Sequence, residues 1–262
     1  MESYIEVNRK LWNARVSSHA NSDFYDVASF KQGKSSLMSI ELEQLGDLRG
    51  KKLLHLQCHF GMDTLSIAKM GANVTGVDFS DKAIETAEAL AKELEIDARF
   101  ICCNVYDLPQ HLDEQFDVIF TSYGVVGWLS DLDAWAAIVA RFLKPGGVFH
   151  FIEFHPVIWM FDNDFQEIAY SYFNVEPILE EESGTYADRS AAIKEQSISF
   201  NHSLSEVLGC LIANGLEIQA FNEFDFSPYP CFNKLVKKGD HCYQIEGMEG
   251  KLPIVYALKA IR

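Results

Sequence analysis

Between residues 52 and 154 the apolar positions fall into short runs separated by amphipathic stretches. Leu53–Gln57 is the first run and Asn73–Asp78, rich in β-branched residues, the second. Arg99–Cys103, Phe116–Ser122 and Val148–Phe154 follow, each of strand length. The stretches between them carry helical spacing. Met62–Met70 reads as a helix stopped by Gly71. Asp81–Glu95 has Ser80 as a ready N-cap and an apolar stripe of Ile84, Ala87, Leu90, Ala91 and Leu94. Leu132–Leu143 is a third helix, closed by Lys144-Pro145-Gly146-Gly147. Strands alternating with helices predict a doubly wound α/β domain: a mostly parallel sheet, right-handed crossovers and helices on both faces.

The flanks break this rhythm. Residues 1–50 read as a helical lead-in, with Ile5, Leu11 and Trp12 near helical spacing and Ser39–Leu45 ending at Gly46. After Phe154 comes a stretch to about residue 200 that is rich in aromatics and acids and poor in regular signals. Ser203–Asn214 then predicts a helix, and Gly215–Phe224 and Pro253–Ile261 two more strands. The expected organisation is therefore a lead-in over 1–50 and a domain over 51–262 with an insertion near 155–200.

Composition narrows the partners. The chain has 262 residues and a formal charge of −16, which argues against phosphate backbones and anionic membrane surfaces as partners. The short basic cluster of Lys234, Lys237 and Lys238 reads as a solvated surface. Six cysteines are present without a C-x-x-C pair, so no structural zinc site and no other metal is expected, and a reducing, cytoplasmic setting suits them. MESYIEVNRK lacks the apolar core of a signal peptide, and no run approaches the ~18 apolar residues of a membrane helix.

The segment KLLHLQCHFGMDTLSIAKMGANVTGVDFS is strand, tight turn, helix and strand, ending on Asp78. With Asn104 opening CNVYDLP, the FDVI run and LKPGG, it forms an ordered set. This set resembles the class I S-adenosylmethionine-dependent methyltransferases. The words HLQCHFGMDTLS, TSYGVVGWLSDLDAWA and FIEFHP are most similar to a bacterial group of small-molecule type. The resemblance implies a seven-stranded sheet of order 3-2-1-4-5-7-6. It implies S-adenosyl-L-methionine as cofactor, with contacts at Gln57, His59, Gly61, Asp78, Phe79, Asn104, Val105, Thr121 and Tyr123. It further implies that the lead-in folds over the cofactor, making Trp12, His19, Phe24, Tyr25 and, from the insertion, Trp159 candidates for a lid and substrate wall. The competing expectation for these aromatics is a second core or a homodimer interface.

The chain departs from the family at the first turn. Where the family writes Asp-x-Gly-x-Gly-x-Gly, His55, Gln57, His59 and Gly61 stand here, and one glycine of three survives. Such a turn presents its carbonyls with bulkier residues provided that their φ values stay negative. The missing G-x-G-x-x-G triplet disfavours a dinucleotide, whose pyrophosphate needs bare backbone. Asp78 at the tip of the second strand offers one carboxylate to two ribose hydroxyls. Gly61 suits a backbone approach to the cofactor. The expected reaction is in-line methyl transfer to a small molecule, with Tyr123, Glu153 and His155 as candidate bases near the strand mouths. A non-catalytic adenosylmethionine sensor and a nicotinamide-dependent oxidoreductase are the alternatives.

Overall fold

The alternation read from the sequence builds one central sheet. The computed structural model describes residues 3–173 and 176–262; Met1 and Glu2 of the expected lead-in and Asn174 and Val175 of the expected insertion lie outside the described residues. Strands β1 (Lys52–Leu56), β2 (Asn73–Asp78), β3 (Arg99–Cys102), β4 (Phe116–Ser122) and β5 (Leu143–Phe154) run parallel. Two further sheet strands lie near the C-terminus, β8 (Glu217–Phe224) and β11 (Val255–Ile261). β11 runs antiparallel between β5 and β8, so the order is β3-β2-β1-β4-β5-β11-β8. This is the order 3-2-1-4-5-7-6 once the two hairpins outside the sheet are passed over.

The helices cover both faces, and each start has a local cause. Gly61, at φ 80°, caps α4 (Met62–Lys69). The Ser80 hydroxyl accepts from Ala83 N to start α5 (Asp81–Glu93), and Asp131 does the same for α6 (Leu132–Phe142). A capping box between Ser203 and Glu206 starts α7 (Leu204–Ala213). One core lies between the sheet and α6–α7, around the fully buried Trp135, Phe149 and Phe151. Burying a side chain of this kind contributes ~1.5–3 kcal/mol. The opposite core joins Leu53, Phe120 and Ile152 to the lead-in residues Leu37, Ile40 and Leu45.

The lead-in is helical as expected: α1 (Tyr4–Ala20), α2 (Val27–Lys31) and α3 (Ser39–Leu45). The segment after Phe154 holds regular structure that its composition hid. β6 (Ile178–Ser183) and β7 (Lys194–Ser199) pair as an antiparallel hairpin. The Asn8 amide of α1 donates to Ile198 O at 2.8 Å and accepts from Ile198 N at 3.0 Å, closing the open edge of β7. A second hairpin, β9 (Leu235–Gly239) with β10 (Cys242–Ile245), carries Lys237 and Lys238. β5 also begins earlier than its apolar run predicted. Its first residues pair Leu143 with Phe116 and hold Lys144 2.7 Å from Asp117.

Candidate functional site

The sheet reverses direction of travel between β1 and β4, so the carboxyl ends of those strands open into one crevice. The turn after β1 forms its floor. Its conformation departs from expectation: Gln57 has φ 55° and His59 φ 50°, both in the left-handed region. These places therefore keep the backbone that favours glycine, although they carry side chains, at a cost of ~1–2 kcal/mol each. Tyr123, at the end of β4, has φ 41°. Three strained non-glycine residues meet around one crevice, which is where such strain gathers in functional sites.

Gly61 serves a different need from the one expected. A Cβ there would stand 2.8 Å from Ala87 Cβ and 2.9 Å from the Phe100 ring. The glycine lets α4 start hard against α5 and β3, so close packing demands it rather than approach to a ligand.

Asp78 sits at the tip of β2, 8% exposed. Oδ2 accepts from His59 N and Oδ1 from Ser80 N, each at 2.9 Å. Burial pushes its carboxyl up to about 6, against the pull of these N–H groups. Phe79 follows, half-buried. Asn104 Oδ1 accepts from Tyr106 N at 3.2 Å and so caps the short helical turn over 105–110. The Val105 side chain points into the core beside α6 rather than into the crevice. Thr121 is fully buried with an unpartnered hydroxyl, and Gln57 Oε1 and the Tyr123 hydroxyl are likewise buried without a hydrogen-bond partner of good geometry.

The lead-in closes this crevice. His19 of α1 stands 2.8 Å from His59 across their facing ring nitrogens. Burial is the main reason that His19 is held down to about 3 and His59 well below the usual histidine range, so both rings are neutral and share one N–H. Trp12 packs edge-on against His59 at 5.3 Å and Trp128 at 5.5 Å. Tyr25 lies 4.8 Å from Phe60, and its hydroxyl meets that of Tyr186 at 2.5 Å. Phe24 stacks on Tyr229 at 5.9 Å, and Tyr229 packs on Tyr123 at 5.2 Å. Trp159 is set one ring back, against Phe154, and is 40% exposed. Tyr25, His59, Tyr123 and Tyr229 are deeply desolvated, yet each keeps some accessible surface, which opens between lid and strand ends. A separate hollow of about 500 Å³ lies at the amino ends of β1–β4, beside Lys52, Asn73 and Glu114, where no strained or orphaned groups converge.

Two of the three candidate bases are committed elsewhere. Glu153 is fully buried, and its carboxylate accepts from the N–H groups of Gly124, Val125, Val126 and Phe154. Four donors fill the lone-pair sites of one carboxylate. His155 accepts from Val157 N at 3.2 Å and stands 3.0 Å from Glu223 Oε1, against Tyr256 on the antiparallel side of the sheet. Tyr123 alone faces the crevice, and burial raises its phenol well above the usual range.

Several crevice residues carried no sequence signal. Arg15 of α1 is buried, pairs with Glu182 of β6 and lies 5.0 Å from the Trp12 ring centroid. Tyr186 comes from the insertion, and Tyr229 from the loop after β8. Other insertion aromatics stay outside: Tyr170 bonds Glu180, and Phe173 is 76% exposed.

With this geometry in view, residues 53–147 match the model of a family described as "Methyltransferase domain". An uncharacterized methyltransferase of Synechocystis is 32% identical over 131 residues, 49% of this chain and 59% of that protein. A ubiquinone biosynthesis O-methyltransferase of Alkalilimnicola ehrlichii is 29% identical over 45% of this chain and 48% of its own length. The chain thus matches about half the length of these curated relatives. Among solved structures, an S-adenosylmethionine-dependent methyltransferase from Mesorhizobium loti superposes with a TM-score of 0.58 at 18% identity, over 88% of this chain and all of that one. Residues 53–147 thus match a methyltransferase domain, and the chain shares the fold of these solved structures.

Proposed function

We propose, from a methyltransferase domain in the class I fold, that this chain moves a methyl group from S-adenosylmethionine to a small molecule. Asp78 carries the reading. It is a buried carboxylate at the tip of β2, and each oxygen has spent one lone pair on a backbone N–H. The remaining lone pairs suit two ribose hydroxyls, charge-assisted and therefore strong. The donor set around it fits the rest of the group. Gln57 Oε1 is an orphaned acceptor for an ammonium, and half-buried Phe79 and Asn104 flank Asp78 where a planar base would lie. Left-handed Gln57 and His59 keep the turn in the shape that glycines would give it.

S-adenosylmethionine supplies a methyl already activated for in-line displacement. The chain's part is alignment and exclusion of water. Trp12, His19 and Tyr25 roof the crevice, and Arg15 with Glu182 ties that roof to the β6–β7 hairpin. Glu153 holds the loop over 124–126 and so fixes Tyr123 at the wall. No base is required when the acceptor atom is unprotonated at neutral pH. The acidic balance of the chain favours a neutral or cationic acceptor over nucleic acid.

Thermal denaturation with a ligand panel tests the reading. S-adenosylmethionine and S-adenosylhomocysteine should each raise the melting temperature, and NADH should leave it unchanged. A rise with NADH and none with the adenosyl compounds would overturn it.

A further inference from the structure

Two carboxyl groups lie near each other beside Ser36 and Tyr229. Glu41 comes from α3 and Asp63 from the first turn of α4. Glu41 is fully buried; Tyr229 donates to its Oε1 at 3.3 Å, and the Tyr123 hydroxyl lies against the same carboxyl. Asp63 accepts from the Ser36 hydroxyl at 2.6 Å. Burial first, and the neighbouring Asp63 second, push Glu41 up to about 7. Among the described residues, neither carboxyl forms an ion pair.

A buried carboxyl beside a second one, with no cation, gives up its charge near neutral pH, and a cation placed between them would restore it. The walls are aromatic. Tyr123 and Tyr229 meet near right angles, Phe24 stacks on Tyr229, and the Tyr123 hydroxyl is buried beside the Glu41 carboxyl. Aromatic faces and carboxylates together select a cation. The strained φ of Tyr123 holds that wall in place. Glu41 and Tyr229 both lie outside residues 53–147, in segments added to the methyltransferase domain, whereas Asp63 lies within it.

We infer that Glu41 and Asp63 are the receptor for a cationic nitrogen on the methyl acceptor, an amine borne on a small apolar or aromatic skeleton. This rests on the methyltransferase reading above. The cofactor's own ammonium is the other source of such a nitrogen, and the test separates the two.

Calorimetry on the full chain saturated with S-adenosylhomocysteine would compare 2-phenylethylamine and tyramine with their neutral analogues 2-phenylethanol and tyrosol. The amines should bind at least tenfold tighter than the alcohols. Glu41→Gln and Asp63→Asn should each weaken amine binding tenfold or more, and retained S-adenosylhomocysteine binding shows that the variants are folded. Equal binding of amine and alcohol, no amine binding, or amine binding unchanged in both variants would overturn the inference. So would a tenfold loss of S-adenosylhomocysteine affinity in Glu41→Gln with 5′-methylthioadenosine unaffected, because the nitrogen would then be the cofactor's. Failure of the unsubstituted chain to bind S-adenosylhomocysteine would instead bring down the methyltransferase reading, and this inference with it.

Discussion

Glu153 shows how far a residue's role depends on what surrounds it. By chain position it stands at the mouth of β5 like a base, yet its carboxylate is spent on four backbone N–H groups. Glu153→Gln replaces one acceptor oxygen by a donor that faces those N–H groups. We expect ~2–4 kcal/mol lower stability in urea titrations, from unsatisfied buried donors and the lost charge-assisted bonds. Gly61 makes the same point for packing. Gly61→Ala combines a left-handed φ with contacts below 3.0 Å to Ala87 and Phe100, and should cost ~2–4 kcal/mol by the same measurement. Asp78 predicts a pH effect. Its carboxyl titrates at about 6 in the free protein, while hydroxyl donors bind the ionised form. Below that value a proton must leave first, so affinity for S-adenosylhomocysteine should fall roughly tenfold per pH unit. Calorimetry from pH 5 to 8 checks it.

At the level of elements, the lid is the part that pH should move. His19 and His59 are neutral while α1 is seated, and His19 is held down to about 3. A histidine freed from the interface returns to about 6.5. The seated pKa lies below the free one, so the closed state is fully favoured above pH 6.5 and loses that advantage as pH falls toward 3. Between pH 8 and pH 5, His19 alone accounts for about 2 kcal/mol. Protection factors in α1, corrected for the intrinsic exchange rate at each pH, should therefore be lower at pH 5 than at pH 8, and His19→Gln should flatten that dependence. The same element shows what the sequence could and could not tell. The helix over Tyr4–Ala20 follows from spacing, and Trp12, His19 and Tyr25 as crevice residues follow from the resemblance. The Asn8 bond to Ile198, the Arg15 pair with Glu182 and the Tyr25 contact with Tyr186 each join residues more than 150 positions apart. Local pattern carries no information at that separation. The β6–β7 hairpin was hidden for a related reason: its strands are largely exposed or half-buried and rich in acidic residues, so they lack the apolar run of a core strand.

For the whole molecule, the order of the seven sheet strands was legible through the family resemblance that the ordered motifs carry; alternation alone gives a parallel sheet but not its order. The atypical first turn was legible as a departure but not as a conformation. Its left-handed residues are held by the surrounding structure, including the bond from His59 N to Asp78. Glu41 was not legible at all. In SIELEQL nothing marks it for burial, and its partner Tyr229 returns from 188 residues away.

The central claim is that Asp78 anchors an adenosyl cofactor in this crevice, and calorimetry of S-adenosylhomocysteine at pH 7.5 tests it most directly. The account predicts low-micromolar binding, about −8 kcal/mol. It predicts that Asp78→Ala loses ~1.5–3 kcal/mol of this while the far-ultraviolet circular dichroism stays unchanged. Unchanged affinity in Asp78→Ala together with a lowered melting temperature would contradict it, because Asp78 would then serve only to fasten the turn after β1 to the start of α5.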